Sequence, residues 1–294
     1  MFREHSDSAR CVAFSADGAR LFSASKDRAL AMVEKGQCVK MERAHPHPIY
    51  CLKLLAESLL GTGDDEGGVK IWDLRAQKEA YRFQEHEETA SGLAYHAGEK
   101  KLVSSSVEGT IAVYDLRNPK ELYAMSDRFE EDLLGVELFR AGKKLLANSS
   151  EGALNLFSWD WFGDCDDRIA GHSCSIDSIC KLDEDTLLTG GEDGLIRTVG
   201  LFPNKILRIV GDHYENESPD EHYPIGRVAL SYDRAWAGSV SHDGYVKFYS
   251  TTIDRDRAKQ AEVLNEEEEE ETKEEEKPPL ASLSAASIHA NKAK

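Results

Sequence analysis

The chain has 294 residues, and its 54 Asp and Glu against 36 Lys and Arg give a net charge of −18. This balance argues against non-specific binding to nucleic-acid phosphates, which requires clustered basic side chains. The chain contains no run of the roughly 20 apolar residues that a membrane-spanning helix needs, and residues 1–10 lack a signal-peptide core. We therefore expect an intracellular protein that contacts neither membranes nor nucleic acid directly. Its six cysteines form no C-x-x-C pair and are expected to be reduced.

Histidines mark an internal repeat with a period of about 40 residues. The interval between His86 and His172 is about twice this period. A repeat between them therefore has another residue, near Phe129, at the position that histidine occupies elsewhere. An acidic residue on a short polar turn follows each marker position, so six repeats are predicted. The marker histidines are His5, His45, His86, His172 and His213, and the turn acids are Asp27, Glu66, Glu108, Glu151, Asp193 and Asp243.

Each repeat contains short apolar or alternating stretches bounded by turn residues, which predicts β-strands. Taken in chain order, the first strands are RCVAFS, IYCLKLL, SGLAYH, LGVELF, IDSICKL and GRVALS. The second strands are RLFSAS, LLGTG, KLVSSS, KLLANSS, TLLTGG and AWAGSV. The third strands are ALAMV, VKIWDL, IAVYDL, LNLF, IRTV and VKFYS. The predicted fourth strands include CVKMER, EAYRFQ, ELYAMS and KILRIVG. In the sixth repeat, polar sequence follows the third strand and no fourth strand is predicted.

Four strands in about 42 residues, with a His…Asp-Gly…aromatic-Asp rhythm, are typical of a β-propeller blade. The motifs VKIWDL at 69–74 and IAVYDL at 111–116 resemble the WD-repeat family. We predict an all-β WD-repeat propeller over 1–253 with six recognisable four-stranded repeats, where the family usually has seven. The acidic, low-complexity tail at 254–294 is expected to be disordered or transiently helical.

A propeller must protect the strand edges at its seam. The first four residues, MFRE, precede the first marker histidine and resemble the remnant of a fourth strand. We expect them to complete the sixth repeat as a short latch. The insertion HYENESPDEHYP at 213–224 lengthens the same repeat, either as a solvated acidic loop or as a partner-binding element.

In the WD-repeat family, the marker His, a Ser or Thr of the second strand, the turn acid and the third-strand Trp form a hydrogen-bonded structural set. The resemblance therefore implies a structural role for the markers and turn acids, against the alternative that a histidine such as His172 is a metal ligand or general base. The acids lie on separate turns, so they cannot form the close carboxylate pair of a hydrolase. With no nucleophile elbow, phosphate-binding loop or zinc spacing in the sequence, we predict no enzyme activity, cofactor or metal.

Four stretches resemble one group within the family, the WD repeat-containing protein 55 group with its Jip-type nucleolar relatives. They are SASKDRAL at 23–30, GTGDDEGGVKIWD at 61–73, SSEGALNLF at 149–157 and DGLIRTVGLFPNKI at 193–206. This resemblance implies a nucleolar scaffold in ribosomal RNA processing and large-subunit biogenesis. Pre-ribosomal assembly factors or basic ribosomal proteins would be its partners, and the cytoplasm is the second choice of compartment.

Two alternative functions remain open at this point. The sequences WDLR at 72–75 and YDLR at 114–117 are similar to the motif by which propellers dock on the adaptor of cullin-four ubiquitin ligases. The chain would then be a substrate receptor, unless each arginine simply pairs with a neighbouring acid. The other alternative is an acidic carrier of basic nuclear proteins. The candidate docking residues are Trp72, Asp73, Arg75, Tyr114, Asp115 and Arg117.

A dense aromatic stretch, FSWDWF at 157–162, ends the fourth repeat. Trp and Phe are favoured anchors of protein interfaces, although aromatic side chains also fill the space between blades. Trp161 is the member of this stretch that we expect to be exposed and to contact a partner.

Overall fold

A computed structural model of the chain describes residues 4–215 and 218–251. Within these ranges the chain consists of β-strands and turns, with one turn of 3-10 helix at Arg140–Gly142. The strands form successive antiparallel sheets, which are the predicted blades. Blade one contains β1 (Ala9–Phe14), β2 (Arg20–Ser25), β3 (Leu30–Glu34) and β4 (Gln37–Met41), and blade two contains β5 (Ile49–Ala56), β6 (Leu59–Asp64), β7 (Val69–Asp73) and β8 (Lys78–Phe83).

The next three blades repeat this arrangement. Blade three contains β9 (Ala90–His96), β10 (Lys101–Ser106), β11 (Ile111–Asp115) and β12 (Leu122–Met125). Blade four contains β13 (Leu133–Phe139), β14 (Lys144–Ser149), β15 (Leu154–Ser158) and β16 (Asp167–Ile169). Blade five contains β17 (Ile176–Lys181), β18 (Thr186–Gly191), β19 (Leu195–Leu201) and β20 (Asn204–Asp212).

The 213–224 insertion contributes a two-stranded hairpin, β21 (Tyr214–Glu215) and β22 (Ser218–His222), between blade five and blade six. Blade six contains β23 (Ile225–Leu230), β24 (Trp236–Ser241) and β25 (Val246–Ser250), and within the described residues it has three strands. The prediction of an all-β propeller with six repeats is confirmed. The insertion, expected to be a solvated acidic loop or a partner-binding element, forms a pair of antiparallel strands.

The turn between the second and third strands contains a glycine with a positive φ in blades two to six. Gly67 has a φ of 78°, a left-handed conformation that favours glycine. A Cβ atom at this position would lie 2.3 Å from the carbonyl oxygen of His86, the marker residue of the next blade. The turn of one blade therefore packs directly against the marker segment of the following blade.

The hydrophobic core is divided into clusters between adjacent blades. The five clusters lie between blades one and two, two and three, three and four, four and five, and five and six. The cluster between blades one and two, for example, joins Phe22 and Leu30 to Ile49, Leu60 and Trp72. A single blade has two apolar faces and cannot bury both of them, so each blade depends on its neighbours.

The first strands of successive blades pack side by side around a central channel. The channel contains a cavity of about 320 Å³. Charged side chains from different blades line it, including Arg10, Lys53, Glu137 and Arg227. Lys53 of blade two and Glu137 of blade four form an ion pair of 2.8 Å in this lining.

The predicted latch falls largely on residues 1–3, which lie outside the described residues. Glu4, its last residue, lies beside blade one, where its carbonyl oxygen accepts a hydrogen bond of 2.5 Å from Lys40 Nζ in β4. The acidic tail at 254–294 also lies outside the described residues.

Candidate functional site

The hydrogen-bonded set expected from the repeats is complete in blade two. His45 Nδ1 lies 2.7 Å from Asp64 Oδ2, and its Nε2 lies 2.7 Å from Thr62 Oγ1. Trp72 Nε1 donates a hydrogen bond of 2.8 Å to the same hydroxyl. The bonds form one chain in which Trp72 donates to Thr62, Thr62 donates to His45 and His45 donates to Asp64. All four side chains are buried, so each bond satisfies a group that water does not reach.

The acid of this set is Asp64, and the prediction of Glu66 for that role is wrong. Glu66 lies on the following turn, where its backbone N–H donates to Asp64 Oδ1. Burial favours a higher pKa for Asp64, but hydrogen bonds from His45 and from backbone N–H groups lower it overall. The sequence GTGDDEGG offered three adjacent acids, and only the strand register distinguishes the one that faces the imidazole.

Three other blades carry a marker histidine bonded to both a hydroxyl and an acid. His5 bonds to Ser23 at 2.8 Å and to Asp27 at 3.2 Å. The remaining two sets are His86 with Ser104 at 2.6 Å and Glu108 at 3.1 Å, and His213 with Ser239 at 2.7 Å and Asp243 at 2.6 Å. These partners account for both ring nitrogens, which supports the structural role over a metal-binding or general-base role.

Blade four has an apolar pair in place of the set. The backbone N–H of Phe129 donates to Gly109, as that of His213 donates to Gly194, so Phe129 occupies the marker position. Its ring contacts Phe157, at the third-strand aromatic position, edge to face at 5.7 Å between centroids. Glu151 is exposed on its turn and has no imidazole opposite it.

Blade five departs from the pattern in a different way. His172 Nε2 lies 2.9 Å from Thr189 Oγ1, but Nδ1 has no partner within the described residues. Asp193 instead forms a two-bond ion pair with Arg197. Burial, reinforced by the positive charge of Arg197, lowers the pKa of His172 to about 4. No sequence pattern had indicated that Arg197, and not His172, would pair with Asp193.

The two aromatic-Asp-Leu-Arg segments each end a third strand, and they differ in geometry. In blade two, Asp73 Oδ1 accepts hydrogen bonds from the backbone N–H groups of Arg75 and Ala76, which fixes the turn after β7. The Arg75 side chain is 78% exposed, and its Nε lies 3.7 Å from Asp73. Its guanidinium therefore projects into solvent from a rigid turn.

In blade three the corresponding arginine is held by its own motif. Arg117 donates to both carboxylate oxygens of Asp115, with Nη2 at 2.6 Å from Oδ2. These hydrogen bonds lower the pKa of Asp115 to about 2. The aromatic residues Trp72 and Tyr114 are buried between blades, so each segment offers only its arginine and the edge of its aspartate to a partner.

Trp161 is 69% exposed, as the sequence predicted. Its neighbours anchor the segment, because Phe162 is buried and Trp159 Nε1 donates to Glu99 Oε1 at 2.9 Å. Tyr123 of blade three lies alongside, where its hydroxyl donates to Asp160 Oδ1 at 2.9 Å. A rigid support thus presents one large exposed aromatic ring, which is the arrangement of an interface anchor.

The described residues contain no group of three or more His, Cys, Asp or Glu side chains placed to hold a metal ion. All six cysteines are free thiols. Within the described part of the chain, no helix is long and apolar enough to cross a membrane.

The family model for WDR55 matches residues 1–253, which include every described blade. The chain belongs to the WDR55 family. It is 37% identical to WD repeat-containing protein 55 of Arabidopsis thaliana over 84% of this chain and 69% of that protein. It is 35% identical to the Homo sapiens protein of the same name over 83% of this chain and 63% of that protein. WD repeat-containing protein JIP5 of Coprinopsis cinerea is 33% identical over 85% of this chain and 64% of its own length.

Solved structures confirm the fold of this WDR55-family chain. The RRP9 WD40 repeats align with a TM-score of 0.77 at 20% identity, covering 86% of this chain and 79% of that one. U3-55K aligns with a TM-score of 0.77 at 20% identity, covering 86% of this chain and 80% of that one. The chain spans about two thirds of the length of the relatives it matches, from 63% to 69% in the cases named.

Proposed function

We propose that the chain is a non-enzymatic scaffold of the nucleolus that acts in ribosomal RNA processing and large-subunit biogenesis. The observation that carries this proposal is the WDR55-family match across the whole described propeller. The resemblance of the sequence to the WD repeat-containing protein 55 group and its Jip-type relatives supplies the nucleolar role. The partners would be pre-ribosomal assembly factors or basic ribosomal proteins.

The structure supports a scaffold in physical terms. The polar side chains that chemistry would require are engaged in holding blades together, as in the set of His45, Asp64 and Thr62. The surface instead presents isolated anchors on rigid supports, of which Trp161 and Arg75 are the most exposed. Such a surface binds partners without itself changing shape.

The test is affinity purification of the full chain from cells, followed by identification of its proteins and probing for precursor ribosomal RNA. We expect recovery of large-subunit assembly factors and accumulation of unprocessed precursor when the protein is depleted. Trp161→Ala should reduce this recovery. Tyr232→Ala, which removes a 94% exposed ring on blade six, serves as the control. Normal processing in depleted cells, with no pre-ribosomal protein recovered, would refute the proposal.

A second candidate function is docking on the adaptor of a cullin-four ubiquitin ligase. The observation that favours it is the exposed Arg75 guanidinium, because a planar, largely unpaired guanidinium suits bidentate recognition of carboxylates or carbonyl groups. Arg117 is already committed to Asp115, so it has fewer donors to offer.

The two arginines provide a matched pair of variants for this second candidate. Arg75→Ala should weaken binding of the purified adaptor by about 2 kcal/mol, the size of an interface hot spot. Arg117→Ala should weaken binding less. Equal binding by the wild type and both variants in a titration would make the arginines purely structural.

A further inference from the structure

The charges of blades two to four are divided between the two ends of the blades. Neighbouring strands are antiparallel, so the marker segments and the turns between second and third strands lie at one end of each blade. The turns between first and second strands and between third and fourth strands lie at the opposite end. The marker end carries exposed acids that form no ion pair within the described residues. They include Glu66, Glu85, Glu87, Glu88, Glu130 and Glu151.

The opposite end of the same three blades carries exposed lysines. Their ammonium groups form no hydrogen bond or ion pair within residues 4–215 and 218–251. Arg75 adds a guanidinium on a side chain that is 78% exposed. Fewer acids are exposed and outside ion pairs at this end, namely Glu57, Glu121 and Asp164. We call Arg75 and the four lysines the basic surface; the lysines are Lys78, Lys100, Lys120 and Lys143.

Other acids of this end are neutralised by a lysine that is itself buried. Lys101 Nζ lies 2.6 Å from Glu99 Oε2 and 3.4 Å from Asp160 Oδ1. The Lys101 side chain is buried, with its ammonium group 3.6 Å from the centre of the Tyr123 ring. Lys100, the preceding residue, is exposed. One lysine thus compensates the nearby carboxylates, and its neighbour keeps its charge for a ligand.

Backbone and side-chain contacts place Trp161 beside the basic surface. The backbone N–H of Trp159 donates to the carbonyl oxygen of Lys143 at 2.9 Å. The indole Nε1 of Trp159 donates to Glu99 Oε1, also at 2.9 Å, and Glu99 directly precedes Lys100. The segment that carries Trp161 is therefore fixed between the turn of Lys143 in blade four and the turn of Lys100 in blade three. An exposed aromatic ring stands next to free ammonium groups from two blades.

This combination fits a polyanion that carries flat rings. Ammonium groups bind phosphates as compact point charges, whereas guanidinium groups are the usual partners of carboxylates because they bind both oxygens at once. The cations of the basic surface are spread over three blades, as a long anionic chain requires. Proteins that bind single-stranded nucleic acid combine such a surface with exposed aromatic rings on which bases stack.

The negative net charge of the chain does not prevent this interaction. A net charge of −18 led us to expect no direct contact with nucleic acid, but that sum does not describe how the charges are distributed. The length of one strand separates the two ends, and a strand of five or six residues spans roughly 17–20 Å. The Debye length at physiological ionic strength is about 8 Å. The acids of the marker end are therefore largely screened from a ligand on the basic surface.

We propose that the basic surface and Trp161 bind single-stranded nucleic acid, such as an unpaired stretch of RNA. The lysines and Arg75 contact successive phosphates across blades two to four, and one base stacks on the ring of Trp161. Neither contact reads the identity of the base or the sugar, so the site tolerates many sequences. This activity is separate from the scaffold role, and purified components are sufficient to test it.

The probe is a fluorescent oligouridine of about 12 nucleotides, within the usual range of single-strand site sizes. Its binding to the full chain is measured by fluorescence anisotropy from about 50 to 200 mM salt. For single strands, the logarithm of the binding constant changes with the logarithm of the salt concentration by about −0.7 per phosphate contacted. Three to five contacts should therefore give a slope between about −2 and −3.5. Oligothymidine of the same length should compete, because it offers the same phosphates and stacking faces.

Variants separate the two kinds of contact. Lys100→Ala and Lys143→Ala should each make the salt slope shallower by about 0.7. Trp161→Ala should lower the affinity by about fivefold to a hundredfold and leave the salt slope unchanged. Lys26→Ala removes an exposed lysine from the marker end of blade one and should change neither quantity. All four variants should keep the wild-type melting temperature because the replaced side chains are exposed.

Several results would overturn the proposal. They are failure of the oligouridine to bind at about 50 mM salt, or an effect of Lys26→Ala on the salt slope equal to that of Lys100→Ala. Equal binding of a duplex would refute base stacking, because paired bases are not free to stack on Trp161. Displacement of the probe by polyglutamate as effectively as by unlabelled oligouridine would mean that an acidic polypeptide occupies the surface instead.

Discussion

The hydroxyl of Thr62 is the centre of the buried hydrogen-bond chain in blade two, and its removal tests the structural role of the repeat. Thr62→Val keeps the shape of the side chain but removes its oxygen. Trp72 Nε1 then loses its acceptor, and His45 Nε2 loses its donor. Both groups lie at buried positions where water does not replace the lost partner.

The magnitude follows from the number of groups left unsatisfied. Each buried polar group without a partner costs about 1–3 kcal/mol. The variant leaves two such groups, so the free energy of unfolding should fall by about 2–6 kcal/mol. Protein stability totals only about 5–15 kcal/mol, which makes a loss of this size easy to detect.

Blade five supplies a matched control. Thr189 has the same position and bonds to His172 Nε2 at 2.9 Å, but the third-strand position holds Val199 in place of tryptophan. Thr189→Val removes the partner of His172 Nε2 and a long hydrogen bond of 3.5 Å to the Arg197 carbonyl oxygen, but it leaves no tryptophan N–H unpaired, and it should cost about 1–3 kcal/mol. The difference between the two variants measures the contribution of the Trp72 hydrogen bond.

Urea unfolding of both variants, followed by far-ultraviolet circular dichroism and by tryptophan fluorescence, gives the two free energies. Coincidence of the two signals establishes that the blades unfold together. A loss for Thr62→Val no greater than that for Thr189→Val would show that the hydrogen bond from Trp72 contributes nothing, and the reasoning would fail.

Three further predictions concern other parts of the propeller. Burial lowers the pKa of His45, His86 and His172 below the ordinary value of about 6.5. The unfolded state therefore binds more protons than the folded state. The free energy of unfolding should fall as the pH decreases from about 6.5 toward 4. Urea titrations at several pH values measure this dependence. His172→Gln should make the free energy of unfolding depend less steeply on pH, and an unchanged dependence would contradict the assignment. Gly67→Ala should lower the free energy of unfolding by about 2–4 kcal/mol. Gly244→Ala, at the same positive φ but with no described atom near its Cβ position, should lower it by about 1 kcal/mol. Equal melting temperatures for the two variants would contradict the contact between Gly67 and the next blade. Phe129→His should lower the melting temperature, because the imidazole would face Phe157 and no acid, and an unchanged value would count against an apolar blade-four core.

The periodicity of the sequence was enough to determine the fold class, because each repeat carries the same strand pattern and the same turn chemistry. Six repeats, their first strands and their turns were all predicted correctly. The exposure of Trp161, in the aromatic stretch FSWDWF at the end of the fourth repeat, was also predicted. These features depend on local sequence, which is why a single chain reveals them.

Strand alternation and glycine turns are local properties, so the sequence was sufficient to predict the first three strands of each of the six repeats, but not the short fourth strand β16 or the hairpin in the insertion. That Asp64 and not Glu66 faces His45 could not be predicted in this way, because strand register sets which side chains meet. The fold also pairs Asp193 with Arg197 and not with His172, and it leaves Arg75 extended into solvent where Arg117 is bound to Asp115.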